Sequence, residues 1–191
     1  MSKISEGLER AFASRGFAEP SVEDLRDAAG VSLRTLYKYT PSRAEMVLAA
    51  LENRQQRYLS CVFDSLPKEP EMALDTILSR IGMWMETETS HGCLFHAAVA
   101  ADPNSQPLRA LLKRHKAEVA SRAAAATGLG GSDTAILLII EGLTQTWPLR
   151  GEAAVEAAKH LGHALRSNRA FSSELPHDFS ENLKGNECGQ G

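Results

Sequence analysis

Apolar residues recur at helical spacing along almost the whole chain, and no stretch alternates with the period of two that a half-buried strand requires. Leu74, Ile77, Leu78, Ile81, Trp84 and Met85 fall on one face of a helix over 69–88. Leu108, Leu111, Leu112, His115 and Val119 do the same over 106–127, and Ala154, Ala158, Leu161 and Leu165 over 152–169. Ile4, Leu8, Ala11 and Phe12 predict a first helix over 3–16. A long one from Ser42 to about Ser65 carries Met46, Ala50, Leu51, Tyr58, Leu59 and Val62 inward. Ala135 to Ile140 is apolar on every side, so the helix from Ser132 to Trp147 needs cover on more than one face. A short helix of small residues lies before Asp102-Pro103. Gly and Pro separate these segments at intervals of roughly 15 to 25 residues. The expectation is an all-α chain of about nine helices.

The stretch from Ser21 to Val47 is different in kind. Two short helices flank an Ala-Ala-Gly-Val-Ser break. Ser21 with Asp24 is close to a capping box, and Ser42 with Glu45 is a full one. Gly30 supplies a position that takes positive φ cheaply, and Ser32 is placed to cap the next helix. At about 100° per residue, Leu33, Leu36 and Thr40 share one side of that helix. Arg34, Tyr37 and Lys38 share the other, flanked by Thr35 and Tyr39. One side docks on a small core while the other presents cations, hydroxyls and phenols, the layout of a helix read into a DNA major groove. An ordinary amphipathic helix with a solvated charged face is the competing reading. The paired short helices and the Gly-centred turn favour DNA.

Charge sharpens this. The net charge of −3 excludes a uniformly basic nucleic-acid coat. Residues 1–57 hold nine Lys and Arg against eight Asp and Glu, so a DNA-binding surface must be local. Three cysteines without short-range pairing do not suggest a disulfide framework. The amphipathic N-terminus lacks a signal-peptide core, no segment approaches a membrane span, and a cytoplasmic location is expected. There is no Gly-rich phosphate loop, Gly-x-Ser-x-Gly elbow or His-Glu-x-x-His, so no enzyme and no cofactor are expected.

The run AAGVSLRTLYKYTPSRAEM resembles the helix-turn-helix signature of the TetR/AcrR family of bacterial transcriptional regulators. That resemblance implies a three-helix helix-turn-helix domain over 1–47 and a larger ligand-binding and dimerisation bundle over 48–170. Residues 171–191, polar and Gly-ended, are expected to be a disordered tail. It implies a dimeric repressor that reads a palindromic double-stranded DNA operator and is released by a small-molecule effector. Arg34, Thr35 and Lys38 would read bases or adjacent phosphates, with Ser21, Ser32, Tyr37, Tyr39 and Arg43 positioning the backbone. The family pairs its last two helices with a second copy, which here points to Ile136, Ile139, Ile140, Leu143, Ala154, Ala158, Leu161 and Leu165. Two departures bear on the domain core. Thr40 stands where the family usually has Phe, and Arg26 where a small residue is usual. They motivate the alternative of a helical interaction module that has lost operator binding.

The larger domain is studded with Trp84, Phe95, His96, His115 and Trp147, candidates for an effector pocket between helices. His115 interrupts an apolar stripe, either as a satisfied core histidine or as a polar ligand contact. His91, Cys93 and His96 lack a fourth ligand at metal-site spacing, so no metal is expected. Nothing cationic neighbours Cys93 in the chain, and the expectation for it is a small buried side chain.

Overall fold

The computed structural model describes residues 2–88 and 92–172. Among them the chain forms nine helices and no strand: α1 (Ser2–Arg15), α2 (Val22–Ala29), α3 (Leu33–Tyr39), α4 (Arg43–Phe63), α5 (Pro70–Glu88), α6 (Leu94–Ala101), α7 (Gln106–Ala126), α8 (Asp133–Arg150) and α9 (Glu152–Ser172). His91 and residues 173–191, most of the expected tail, lie outside the described residues; α9 runs two residues into the span assigned to that tail.

Two apolar cores share α4 as a strut. The first gathers Leu8 and Phe12 of α1, Leu25, Leu36, and Met46, Ala50 and Leu51 from the start of α4. The second gathers Leu59 and Val62 from its far end with Leu74, Ile77, Leu78 and Ile81 of α5, Val119, and Ile136 and Ile140 of α8. A helix of 21 residues spans about 30 Å, enough to join both cores without a break. The first core also takes in Phe95, Ala98, Leu108 and Leu111, so α6 and the start of α7 join the core of the helix-turn-helix by packing on α4. Periodicity did not foreshadow that attachment, because α6 is only eight residues long and nearly all small or apolar.

Close helix approach depends on three glycines, Gly7, Gly162 and Gly82, the last packed against Val155. A Cβ at Gly7 would collide with the Ala28 carbonyl, which holds α1 against α2. One at Gly162 would sit 2.8 Å from Leu74 Cδ2, which holds α9 against α5. The eighth helix corrects an expectation, since it continues through Pro148 to Arg150 instead of stopping at Trp147. Proline in a final turn removes one donor without breaking a long ladder. The Gly151 amide closes the helix on the Trp147 carbonyl at 2.8 Å, in a positive-φ conformation that glycine tolerates.

Candidate nucleic-acid interface and effector cavity

The turn between α2 and α3 is built from caps. The Ser21 amide donates to Asp24 Oδ2 at 2.8 Å and the Asp24 amide donates to Ser21 Oγ at 3.1 Å, a complete capping box. The Ser21 hydroxyl, donating to Asp24 Oδ2 at 2.6 Å, then the Ser21 amide, and Arg15 beside them hold the Asp24 carboxyl down at about 2. Gly30 ends α2 at φ 65°, and Ser32 Oγ accepts the Thr35 amide at 3.1 Å to open α3. Leu36 is wholly buried beneath α3, while Arg34, Tyr37, Lys38 and Tyr39 are exposed and Thr35 is half-buried. Among the described residues no hydrogen bond or ion pair engages Arg34 or Lys38; the Lys38 ammonium lies over the Tyr39 ring, 5.5 Å from its centroid. Two uncommitted cations and two phenols thus project from one seven-residue rod.

Arg43 also has a role inside the domain. Its guanidinium donates to the carbonyls of Pro20 and Phe17, both at 2.8 Å, and stacks over Phe12. It ties the loop before α2 to the start of α4, so two of its five donors are engaged inside the domain. Ser21 and Ser32 are exposed, but their hydroxyls serve the caps. The two sequence departures are accommodated. Thr40 is buried with its hydroxyl donating to the Leu36 carbonyl at 2.8 Å. Arg26 turns outward to pair with Asp27, and Gly7 provides the close approach instead.

Behind the first core lies a buried polar node. Glu9, 2% exposed, accepts from Arg54 at 3.0 Å, Arg57 at 2.7 Å and Asn53 at 2.6 Å. Arg54 also donates to the Glu88 carbonyl and Arg57 to the Glu88 carboxylate. Both guanidinium groups stack on Trp84. The node therefore joins α1, α4 and α5. Sequence reading missed it because its partners lie 31 to 48 residues apart.

Arg54 and Trp84 also line a cavity with Tyr58, Cys93, Phe95, His115, Lys116 and Glu141. Of the five pocket candidates, Trp84, Phe95 and His115 line it. Trp147 instead packs in the second core against Gly82. His96 sits half-exposed at the edge, 3.4 Å from Gln145 and 3.8 Å from Glu141. The cavity volume is about 30 Å³. Drug-sized sites take roughly 300–1,000 Å³, so this conformation is closed around space for a water or two.

His115 is not a satisfied core histidine. It is 4% exposed, stacked on Phe95 at 4.1 Å, and its Nδ1 has no hydrogen-bond partner. Burial, with Lys116 and Arg54 nearby, pushes its pKa down to about 3, so the ring is neutral at physiological pH. Cys93 also departs from expectation. The Lys116 ammonium, from α7, lies 3.4 Å from its sulfur and 2.7 Å from Glu141. Burial pushes the thiol up, but hydrogen bonds from His96 and the Lys116 charge outweigh it and bring it to about 7. Among the described residues no group of three or more His, Cys, Asp or Glu could hold a metal, and no helix is long and apolar enough to cross a membrane.

The apolar face on α8 and α9 needs correction in part. Ile136 and Ile140 are committed to the chain's own core, whereas Leu143, Ala154 and Ala158 pack in that core and also line an outward groove. Of the expected residues Leu161, 59% exposed, and Ile139 also face this groove, and Leu138, 69% exposed, joins them with Gly142 and Ala157. Leu165 packs partly buried against the core.

Residues 4–50 match the family model described as bacterial regulatory proteins, tetR family. A curated relative, the HTH-type transcriptional regulator EthR of Mycolicibacterium smegmatis, is 32% identical over 69 residues, 35% of this chain. The match spans about a third of that relative's length, 32%. SCO4454, a TetR-family transcriptional regulator from Streptomyces coelicolor, superposes with a TM-score of 0.71 at 20% identity, covering 86% of this chain and 87% of that one. A TetR transcription regulator from Haloarcula marismortui gives 0.71 at 16% identity, covering 87% and 95%. The reduced form of Escherichia coli NemR gives 0.65 at 18%, covering 84% and 94%. Those structures share the fold; the helix-turn-helix residues carry the kinship. Residues 4–50 thus carry the helix-turn-helix DNA-binding domain of the tetR family of bacterial regulatory proteins, and the chain has the fold of TetR-family transcriptional regulators.

Proposed function

We propose that the protein is a cytoplasmic, dimeric repressor that reads a palindromic operator through α3 and is released by a small effector acting in the helical domain. The observation that carries this reading is the outward face of α3, where Arg34 and Lys38 are exposed and uncommitted beside Tyr37 and Tyr39. Arg34, Thr35 and Lys38 read bases or adjacent phosphates, and Tyr37 and Tyr39 pack against the backbone. Leu138 and Leu161 support a two-fold pairing of α8 and α9, because an apolar surface of that kind on paired helices is ordinarily covered by a second copy. Two α3 helices would then enter successive major grooves about 34–36 Å apart.

An effector acts only through a difference in affinity between two arrangements. Arg54 supports such coupling, since it borders the cavity and grips Glu9 on α1. The test is anisotropy titration of labelled genomic duplexes selected by the protein itself. Binding should weaken steeply with salt, and Arg34→Ala with Lys38→Ala should abolish it. Undiminished binding by that double variant rejects the assignment of the face.

A further inference from the structure

Cys93 stands at a wall between two spaces. On one side is the closed cavity holding the unpartnered Nδ1 of His115. On the other is an open groove of about 360 Å³, bounded by Phe12, Arg15 and Gly16 at the end of α1, Glu19 beyond it, and Leu94 and Ala97 of α6. The thiol is partly accessible and stands at the N-cap position of α6, making no cap hydrogen bond itself but lying where the helix amides favour negative charge. Lys116 lies 3.4 Å from the sulfur, and His96, three residues on, also lowers the thiol's pKa. Three independent features thus favour thiolate at one accessible sulfur, and a buried polar nitrogen across the cavity has no partner in the protein. Low-pKa, accessible thiols in electropositive surroundings are the reactive ones.

We propose that Cys93 is a covalent sensing site for short-chain α,β-unsaturated carbonyl compounds, and that its adduct releases the protein from DNA. The proposal rests on the regulator reading above and names the effector class for it. The thiol gives its proton to His96 or water. The sulfur lone pair then attacks the β-carbon, an S–C bond forms, and the carbon–carbon π bond breaks. Its electron pair moves to the carbonyl oxygen as an enolate, and the α-carbon takes up the proton the thiol released. Nothing leaves, and no oxidant is consumed. Short chains fit because the groove admits the molecule while the cavity has room only for its carbonyl end. His115, in the tautomer that carries hydrogen on Nδ1, donates to that oxygen.

The adduct's added atoms fall where α6 meets α1. Cys93 and Leu94 pack against the same core as Phe12 and Leu36, so overpacking there displaces the helix-turn-helix. The adduct also removes one negative partner of Lys116, leaving it Glu141 alone.

The test uses the full chain with Cys61→Ser and Cys188→Ser, leaving Cys93 alone, and but-3-en-2-one as probe. Intact mass and peptide mapping report the adduct, and anisotropy with a selected duplex reports DNA release. A single adduct at Cys93, an affinity loss of at least tenfold, and no loss in Cys93→Ser are expected. His115→Phe should slow adduct formation severalfold without changing DNA binding before the probe is added. No adduct at Cys93 under conditions that modify a cysteine peptide overturns the proposal and leaves the regulator reading standing. An adduct that leaves affinity unchanged overturns the sensing role alone. An unreacted protein that holds no duplex overturns the regulator reading, and the sensor falls with it.

Discussion

Replacing Glu9 by Gln should be among the most damaging single changes outside the apolar cores. The carboxylate is 2% exposed and the Arg54 guanidinium 4% exposed, with 3.0 Å between them. Glutamine keeps the shape but leaves a buried cation without its counter-charge. Breaking one side of such a pair costs about 3–5 kcal/mol. Arg57 is 41% exposed and can relax toward solvent, which places the expected loss near the lower end, about 3 kcal/mol. For a chain of this size, about 1 kcal/mol moves the melting temperature by roughly 2–4 °C, so a fall near 10 °C is expected. The assay is urea denaturation and thermal melting by circular dichroism on wild type, Glu9→Gln, Glu9→Leu and Glu9→Leu with Arg54→Met. The last variant should recover most of the lost stability, because an apolar pair of similar volume often matches a buried ion pair. A loss under about 1 kcal/mol in Glu9→Gln would refute the reasoning, as would a double variant no more stable than the single.

Leu138→Glu with Leu161→Glu should shift the protein to monomer in light scattering and weaken operator binding; an unchanged mass would place the dimer surface elsewhere. His115 contributes an acid lability. Its folded pKa of about 3 lies below the ordinary histidine value, so the stability it supports is complete above about 6.5. That stability is lost as pH falls toward 3, at up to about 1.4 kcal/mol per unit, and His115→Phe should flatten the urea-midpoint profile over that window. Alkylation of Cys93 should cross that of a cysteine peptide. With the thiol at about 7 against about 8.5, the thiolate excess is about 30-fold at pH 6, offset about fivefold by lower intrinsic nucleophilicity. Cys93 should therefore react about sixfold faster at pH 6 and about fourfold slower at pH 9.5, with equal rates at every pH as the contrary result. The groups facing the sulfur through that range are His96 on α6, His115 and Lys116 on α7 and Glu141 on α8. Arg54 and Tyr58 face it from α4, and Arg15 and Glu19 from the groove.

What could be read from the chain follows the range over which each signal acts. Helices and caps are local: Ser21 with Asp24, Gly30 and the division of α3 into a Leu36 face and an Arg34–Lys38 face all depend on neighbours within a turn or two. Interactions between distant residues were not legible. Cys93 looked inert because its cation, Lys116, arrives from a helix 23 residues on. Arg43 reads as a phosphate ligand because charge is visible in sequence, whereas the Phe17 and Pro20 carbonyls that engage two of its donors are not. Ile136 and Ile140 looked available to a second copy because α8 is apolar all round, and composition cannot tell which side its own chain covers. Leu138, two residues along, is the side left outward.

The central claim is that the exposed face of α3 engages DNA twice per assembly. Hydroxyl-radical footprinting on a duplex selected from the genome tests it most directly. The account predicts two protected half-sites of inverted sequence, centred about one helical turn apart, that vanish together in the Arg34→Ala, Lys38→Ala variant. Protection of a single site, or a footprint that survives loss of both cations, would contradict it.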